Sequence, residues 1–334
     1  MFKLIMNTII KQRNRVLNNL ETKLSQIPGS IQSSAASKPR NPTIKSFLKM
    51  KDLQEKFRFF REVFPNVKRS VFGQVNSVKN AAKNPSSPRT ETDINLIQEL
   101  EKKLVKMGVE QIGYTKVPPE LIFEGKSILF DNAIVIGQRM DKDKFRSAPS
   151  FEAFDSVLQV YADLGDIAIE ITNWLRDRGY GAQAAPAFGG LVDYTRLAER
   201  AGFGQVGLHG CLISNKLGAS FRIAAIFTSI ENLPFTDGTN NDKWIWDFCQ
   251  GCYKCARKCP PDAIYFEPKK NAFGKPIYID YEACATAFQD DYGCGICISG
   301  CPFSLRDYQA LFKQFSRRKK HPNPKVIQDF KANN

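Results

Sequence analysis

Residues 249–268 read CQGCYKCARKCPPDAIYFEP, with four thiols inside eleven residues and a proline directly after the last. Cys249, Cys252, Cys255 and Cys259 are spaced C-x2-C-x2-C-x3-C, and Pro260 follows. Three thiolates two residues apart wrap one corner of a small cube. The fourth points away, because the chain turns into a helix after it. This is the run that binds a cubane iron–sulfur cluster and lends its fourth cysteine to a second one. A second run stands in DYGCGICISGCPF: Cys294, Cys297 and Cys301, followed by Pro302, with Cys284 ahead of them. The expected pairing is crossed. Cys249, Cys252, Cys255 and Cys301 would hold one 4Fe-4S cluster, and Cys284, Cys294, Cys297 and Cys259 the other.

Other uses of thiols fit less well. Zinc sites use paired C-x2-C units and leave a third interior cysteine without a role. Disulfides need an oxidising compartment. The leading MFKLIMNTII is apolar but short, carries Lys3 and lacks a small-residue cleavage pattern. No apolar run approaches the ~20 residues of a membrane helix, so the chain is expected in the cytoplasm. The ninth cysteine, Cys211, is expected to be a small buried residue rather than a ligand. Asp262-Ala263-Ile264 and Ile277-Tyr278-Ile279 read as the short strands of a ferredoxin-like fold around the clusters.

The rest of the chain must position these thiols. At 334 residues it is long enough for a substantial core and two domains. The net charge of +14 is unevenly spread: residues 1–90 hold 18 Lys and Arg against 4 Asp and Glu, and the remainder is neutral. Residues 1–90 are therefore read as a basic, linker-rich extension, in which the Ser/Pro/Asn stretches SIQSSAASKPRNP and NAAKNPSSPRT are linkers. Residues 1–24 have the pattern of an amphipathic basic helix. Such a segment suits an anionic membrane surface, a redox partner or RNA, or it packs loosely on the body.

From residue 91 to about 240 the pattern is that of an α/β domain. INLIQELEKKLVKMG has helical period, EQIGYTKV and NAIVIGQRM read as strands, and residues 151–178 as one long helix. YGAQAAP is extended, residues 195–201 are helical, and GASFRIAAIFTSI is a strand apolar on both faces. Strands alternating with helices predict a parallel or mixed sheet. Residues 241–310 form the cysteine region and 311–334 a basic tail. Between the short helix and the last strand lie Gly202, Gly204, Gly207 and Gly210, which let backbone approach something closely. That something is either a large planar or extended cofactor or the chain itself. GFGQVG does not follow a strand and open a helix, so the dinucleotide fingerprint does not apply.

LAERAGFGQVG, LIS, LGASFRIAAIFT and WLRDRGYGAQAAP, taken with the two cysteine runs, resemble the superfamily of reductive dehalogenases and epoxyqueuosine reductases over roughly residues 95–305. CGICISGCPFS is closer to the dehalogenases. The resemblance implies an α+β or α/β architecture: a corrinoid-binding α/β core with a two-cluster ferredoxin-like domain. Members carry cobalamin with no protein histidine on cobalt, in keeping with a chain whose only histidines are His209 and His321. Gln205 stands where epoxyqueuosine reductases have Trp, and Leu208 where they have Lys. About thirty residues follow Cys301, too few for a tRNA-reading helical tail, so nucleic acid is not an expected partner.

The function implied is a cobalamin-dependent oxidoreductase of the reductive dehalogenase type. Two 4Fe-4S clusters would pass single electrons to a corrinoid that cleaves a carbon–halogen bond or the C–O bond of an epoxide. Gly202, Gly204, Gly207, His209, Ile213, Ser214, Gly218 and Arg222 are the expected corrinoid-binding residues, with Arg222 placed to neutralise a phosphate or substrate anion. Asp193 and Tyr194 are the expected proton donors, followed by Tyr180 and His209. Expected partners are an electron donor such as ferredoxin or flavodoxin and a small-molecule substrate. The alternative is a corrinoid-free iron–sulfur protein that only transfers electrons.

Overall fold

The computed structural model describes residues 2–34, 52–236, 242–270, 274 and 276–317. The Ser/Pro stretch from residue 35, residues 237–241 and the tail from residue 318, with His321, lie outside the described residues.

The basic stretch contains helix α1 (Phe2–Ser25), the two-residue strand β1 (Ile31–Gln32), and helices α2 (Leu53–Arg58) and α3 (Phe64–Lys79), the last two joined through a π-helical turn at Phe59–Val63. In α4 (Ile94–Lys106) the Asp93 carboxylate caps the first turn by accepting the Leu96 N–H, and Ile97, Leu100 and Leu104 recur on its buried face. There follow β2 (Gln111–Lys116), β3 (Ser127–Ile128), β4 (Asn132–Arg139), α5 (Lys142–Arg146) and α6 (Phe151–Arg176), the last capped by Ser150. The body closes with β5 (Ala182–Ala185), α7 (Tyr194–Arg200), the short pair β6 (Gly204–Val206) and β7 (Leu212–Ser214), and β8 (Phe221–Thr228).

Strands β2, β4, β8 and β5 make one sheet in that order, and every neighbouring pair runs antiparallel. The expected parallel or mixed sheet is therefore not what forms. The continuous apolar runs report that both faces are covered, which holds whichever way a neighbouring strand runs. In β4, Ile134 and Ile136 point into the layer made by α4 and α6, while Ala133 and Val135 point into the layer made by α7 and the β6–β7 pair. Alternate side chains leave opposite faces of a strand, so one run serves two cores. The mixed helix-and-strand architecture is as expected.

The basic stretch is integral to the packing, which corrects the reading of a loosely attached extension. Ser70, Gly73 and Ser77 of α3 are buried, and a side chain at Gly73 would already touch Ile169 of α6. Gln74 donates from Nε2 to the Gly189 carbonyl at 2.9 Å. Phe59 and Val63 pack with Leu158 of α6, each such burial being worth about 1.5–3 kcal/mol. Leu24 of α1 joins Val78 and Ala81, Glu21 pairs with Lys126, and β1 pairs with β3. Part of the positive charge also lies against the body: Arg69 binds Asp163 at 2.8 Å and Asp166 at 2.6 Å.

The cysteine region comprises α8 (Trp244–Cys252), α9 (Lys254–Arg257), β9 (Ile264–Lys270), β10 (Pro276–Ile279), α10 (Tyr281–Asp290), α11 (Ile296–Ser299), α12 (Pro302–Leu305) and α13 (Tyr308–Arg317). β9 and β10 pair antiparallel, as expected of a ferredoxin-like unit. Trp244 ties its ends together: its Nε1 donates to the Tyr308 hydroxyl at 2.8 Å, and its ring lies 5.5 Å from that of Phe303.

Candidate metal centre

Cys249 and Cys252 sit one helical turn apart on α8, and Tyr253, at φ 50°, breaks that helix and starts α9, which carries Cys255. Cys284 lies on α10 and Cys297 on α11, while Cys301 is the N-cap of α12 with Pro302 at its first position. Among the described residues, the non-glycine residues with left-handed backbone are Tyr253, Asp262, Tyr292 and Cys294, all in this region. Such conformations are uncommon outside glycine. They turn successive backbone N–H groups to one side, the geometry that suits an anionic sulfur core.

The eight thiols sort into two groups. Cys249, Cys252, Cys255 and Cys301 line one cavity together with Leu208, His209, Phe248 and Phe303. Burial raises the Cys301 thiol, the Phe303 N–H opposes this, and the charges of Cys249, Cys255 and Cys252 add to it. Burial likewise pushes Cys255 up to about 12, with Cys249 and Cys252 contributing, and Cys249 to about 11 against a hydrogen bond donated by the Leu208 N–H. In the second group burial raises Cys284 to about 11, and its charged neighbours are Cys259, Cys294 and Cys211. Cys297 is raised by burial and by Cys211, Cys255, Cys294 and Cys284. Cys259 accepts the Ala263 N–H at 3.3 Å. Cys249, Cys252, Cys255 and Cys301 thus share one cavity, while Cys259, Cys284, Cys294 and Cys297 influence one another's ionisation.

Buried thiols held this close are poor acids alone. A cationic iron core compensates the thiolates and displaces their protons. The first four thiols surround a space rather than a point. These observations fit two cubane clusters.

The glycine block lies beside the first group, and its neighbours are the chain itself. A Cβ on Gly204, at φ +152°, would stand 2.0 Å from the Ile213 carbonyl oxygen across the β6–β7 pair. A Cβ on Gly207 would meet the Ile213 side chain at 2.6 Å, and one on Gly202 would meet Thr236 at 3.1 Å. Gly218 lies against the Phe303 carbonyl, 2.1 Å from an added Cβ, and Ser220 donates to the Ser304 hydroxyl at 2.7 Å. The fully buried Phe203 ring covers Gly113 and Gly137 of β2 and β4. Ser214, also fully buried, donates to Gln111 Oε1 and accepts the N–H groups of Lys216 and Leu217. The block is thus the seat by which the sheet holds the cysteine region.

The remaining candidates separate. Asp193 caps α7 by accepting the Arg196 N–H at 3.1 Å. The Tyr194 hydroxyl donates to the carbonyls of Ala185 and Pro186 at 2.8 and 3.0 Å, and burial raises it well above the ordinary phenol range. Tyr180 is buried, with its hydroxyl toward the Glu91 carbonyl at 3.3 Å. Arg222 lies over the Tyr161 ring at 5.3 Å. Its Nε is buried without a partner, and its charge reaches the buried Cys211 thiol. Cys211 in turn neighbours Cys284 and Cys297. Arg222 and Cys211 therefore stand beside the second thiol group, and Leu208 and His209 beside the first. Sequence reasoning missed both placements: GLHGC carries no spacing that pairs it with cysteines some forty residues on.

Residues 248–305 match the family model of a 4Fe-4S dicluster domain. The chain is 28% identical over 224 residues to a tetrachloroethene reductive dehalogenase of Sulfurospirillum multivorans, a match covering 64% of this chain and 43% of that protein. It is 28% identical over 153 residues to an epoxyqueuosine reductase of Gloeobacter violaceus, covering 43% of this chain and 46% of that one. A solved reductive dehalogenase structure, described as suggesting a mechanism for B12-dependent dehalogenation, superposes with a TM-score of 0.61 at 21% identity, over 76% of this chain and 39% of its own. Homologues of this chain are thus reductive dehalogenases and epoxyqueuosine reductases, both oxidoreductases. The superfamily resemblance read from the motifs stands, as does the 4Fe-4S dicluster domain. The chain spans less than half the length of these relatives. Among the described residues, no helix is long and apolar enough to cross a membrane.

Proposed function

We propose that the protein is a corrinoid-dependent reductase of the reductive dehalogenase type. The observation that carries this reading is the cavity lined by Cys249, Cys252, Cys255 and Cys301, together with a half-buried Arg222 whose Nε has no partner. Cys249, Cys252, Cys255 and Cys301 would hold one 4Fe-4S cluster, and Cys259, Cys284, Cys294 and Cys297 the other. Arg222 and Tyr161 are the residues placed to hold the corrinoid. The Nε of the half-buried Arg222 is a donor left for an anionic acceptor while its NH1 donates to the Phe221 carbonyl, and the Tyr161 ring offers a flat apolar face. When bound, the corrinoid supplies reductive cleavage of a carbon–halogen bond, fed by one-electron steps from the clusters.

The net reaction takes two electrons and one proton, and replaces halogen by hydrogen with release of halide. Arg222 contributes a fixed positive charge next to the second thiol group, where anionic character builds up. Tyr194 and Asp193 are committed to backbone groups, so neither is assigned the proton. An acidic one-electron carrier such as ferredoxin or flavodoxin is the proposed donor. The cysteine region from residue 241 is proposed as a unit of its own.

Protein purified without air decides the matter. Expected are about eight iron and eight sulfide per chain, binding of added cobalamin, and chloride release from tetrachloroethene with a chemical reductant. Iron without any cobalamin binding or halide release would leave the electron-transfer reading. That second reading has one observation in its favour, the glycine block filled by the chain's own atoms. Reduction of an epoxide, with two electrons and two protons consumed and no halide released, would move the substrate toward the other branch of the superfamily.

A further inference from the structure

His209 is 4% exposed and lies in the loop joining β6 to β7. Its Nδ1 accepts the backbone N–H of Cys211 at 3.1 Å. A ring nitrogen that accepts carries no proton, so the neutral imidazole carries its proton on Nε2. Nε2 is buried and has no hydrogen-bond partner. The ring lines the cavity of Cys249, Cys252, Cys255 and Cys301. The preceding residue already serves the same group, because the Leu208 N–H donates to the Cys249 sulfur. Burial lowers the His209 pKa to about 4, in keeping with a neutral ring.

A buried donor with nothing to bind is costly. The acceptors that fill this cavity in the proposed reading are the sulfide and thiolate sulfurs of a cubane, which carry negative charge. With Nδ1 taken up by the Cys211 N–H, Nε2 is the ring nitrogen left to donate. We propose that His209 donates a hydrogen bond from Nε2 to a sulfur of the cluster held by Cys249, Cys252, Cys255 and Cys301, and thereby raises that cluster's reduction potential. This rests on the reading that the first thiol group holds a cluster. Reduction adds one electron to the core and moves no proton, and the added charge strengthens the N–H···S bond. The reduced state gains more than the oxidised one, and hydrogen bonds to sulfur are an established lever on potential. The glycine-rich loop thus contributes to redox tuning as well as to packing, and it makes the two clusters inequivalent.

The test is a potentiometric titration of the full-length, cluster-loaded protein followed by electron paramagnetic resonance. His209→Phe keeps a ring and removes the donor, while His209→Gln restores a donor near the Nε2 position. The expected result is that His209→Phe makes one of the two midpoints more negative by about tenfold in the reduction equilibrium, ~59 mV for one electron, and that His209→Gln recovers most of the shift. Both midpoints unchanged in a fully loaded His209→Phe protein would overturn the proposal. Should that variant fail to load, the wild type answers alone. With 15N-histidine, pulsed resonance of the reduced protein should show a nitrogen coupling and an exchangeable proton on one cluster, both retained in His321→Gln. Absence of any histidine coupling would equally overturn the proposal. A wild type with neither iron nor signal would instead remove the cluster reading beneath it.

Discussion

The cysteine runs and the glycine block both advertise chemistry, but they constrain the fold differently. Cysteines at C-x2-C-x2-C-x3-C specify that side chains converge, and three of them line a single cavity with Cys301 of the other run. Glycines specify only that a backbone lies close to something. At Gly204 that something is the Ile213 carbonyl, and at Gly218 it is the Phe303 carbonyl. A ligand motif names its partner's chemistry. A glycine motif names a distance, and leaves the partner to be found.

This contrast can be broken most sharply at Cys255. Cys255→Ala should remove the first cluster and lower iron from about eight to about four per chain; loss of both clusters would show that the groups are not separable. Gly204→Val comes next. Its side chain would collide with backbone 2.0 Å away, so a loss of about 3 kcal/mol or more is expected. The thermal midpoint, iron content and cobalamin binding should fall together. Selective loss of cobalamin binding, with iron and midpoint intact, would restore the glycine block to a cofactor cradle.

The basic stretch offers a third case, since its charge made it look separable from the body. Val63 is fully buried against Leu158, and Val63→Ala should cost about 2 kcal/mol, read from denaturant unfolding. No change there would return the stretch to the status of an appendage. The smallest effect sharpens the comparison from inside the cysteine run. Gly251 has no atom within 4 Å of an added Cβ and sits in α8. Gly251→Ala should retain all the iron and raise stability by about 0.5–1 kcal/mol. Within the cysteine run the glycine is then replaceable and the cysteines are not; in the glycine block the order is reversed.

Legibility in the sequence followed how local each constraint is. The helix over Phe151–Arg176 and the strands Asn132–Arg139 and Pro276–Ile279 were readable, because period and turn residues act within a few positions, whereas β9 begins at Ile264, where the expected strand at Asp262–Ile264 ends. Strand direction in the sheet was not, since a run such as FRIAAIFT says that two faces are buried and nothing about its neighbours' sense. The packing of α3 was hidden by its small residues. Ser70, Gly73 and Ser77 carry no hydrophobic signal, yet they are what let α3 lie on α6. At the candidate site the thiols were legible by spacing, whereas Asp193 and Tyr194 were not: a helix cap and a committed phenol are written like a general acid and differ only in the tertiary partners.

The crossed partition also acts on the unfolded chain. Each loaded cluster ties distant points of the sequence, one joining Cys249 to Cys301 and the other Cys259 to Cys297. The second span lies inside the first, so the outer loop cannot open fully while the inner one is closed. Loop-closure entropy grows only slowly with length, and the two ties therefore restrict the chain to a similar extent. Among its described residues, the region they enclose has only the β9–β10 pair for a sheet. Its durability in air is then set by the slower-decaying of its two inorganic knots. Oxidative loss of one cluster should leave a region still threaded by the other, and loss of both should expose it to proteolysis between residues 249 and 301 while the sheet behind it stays folded.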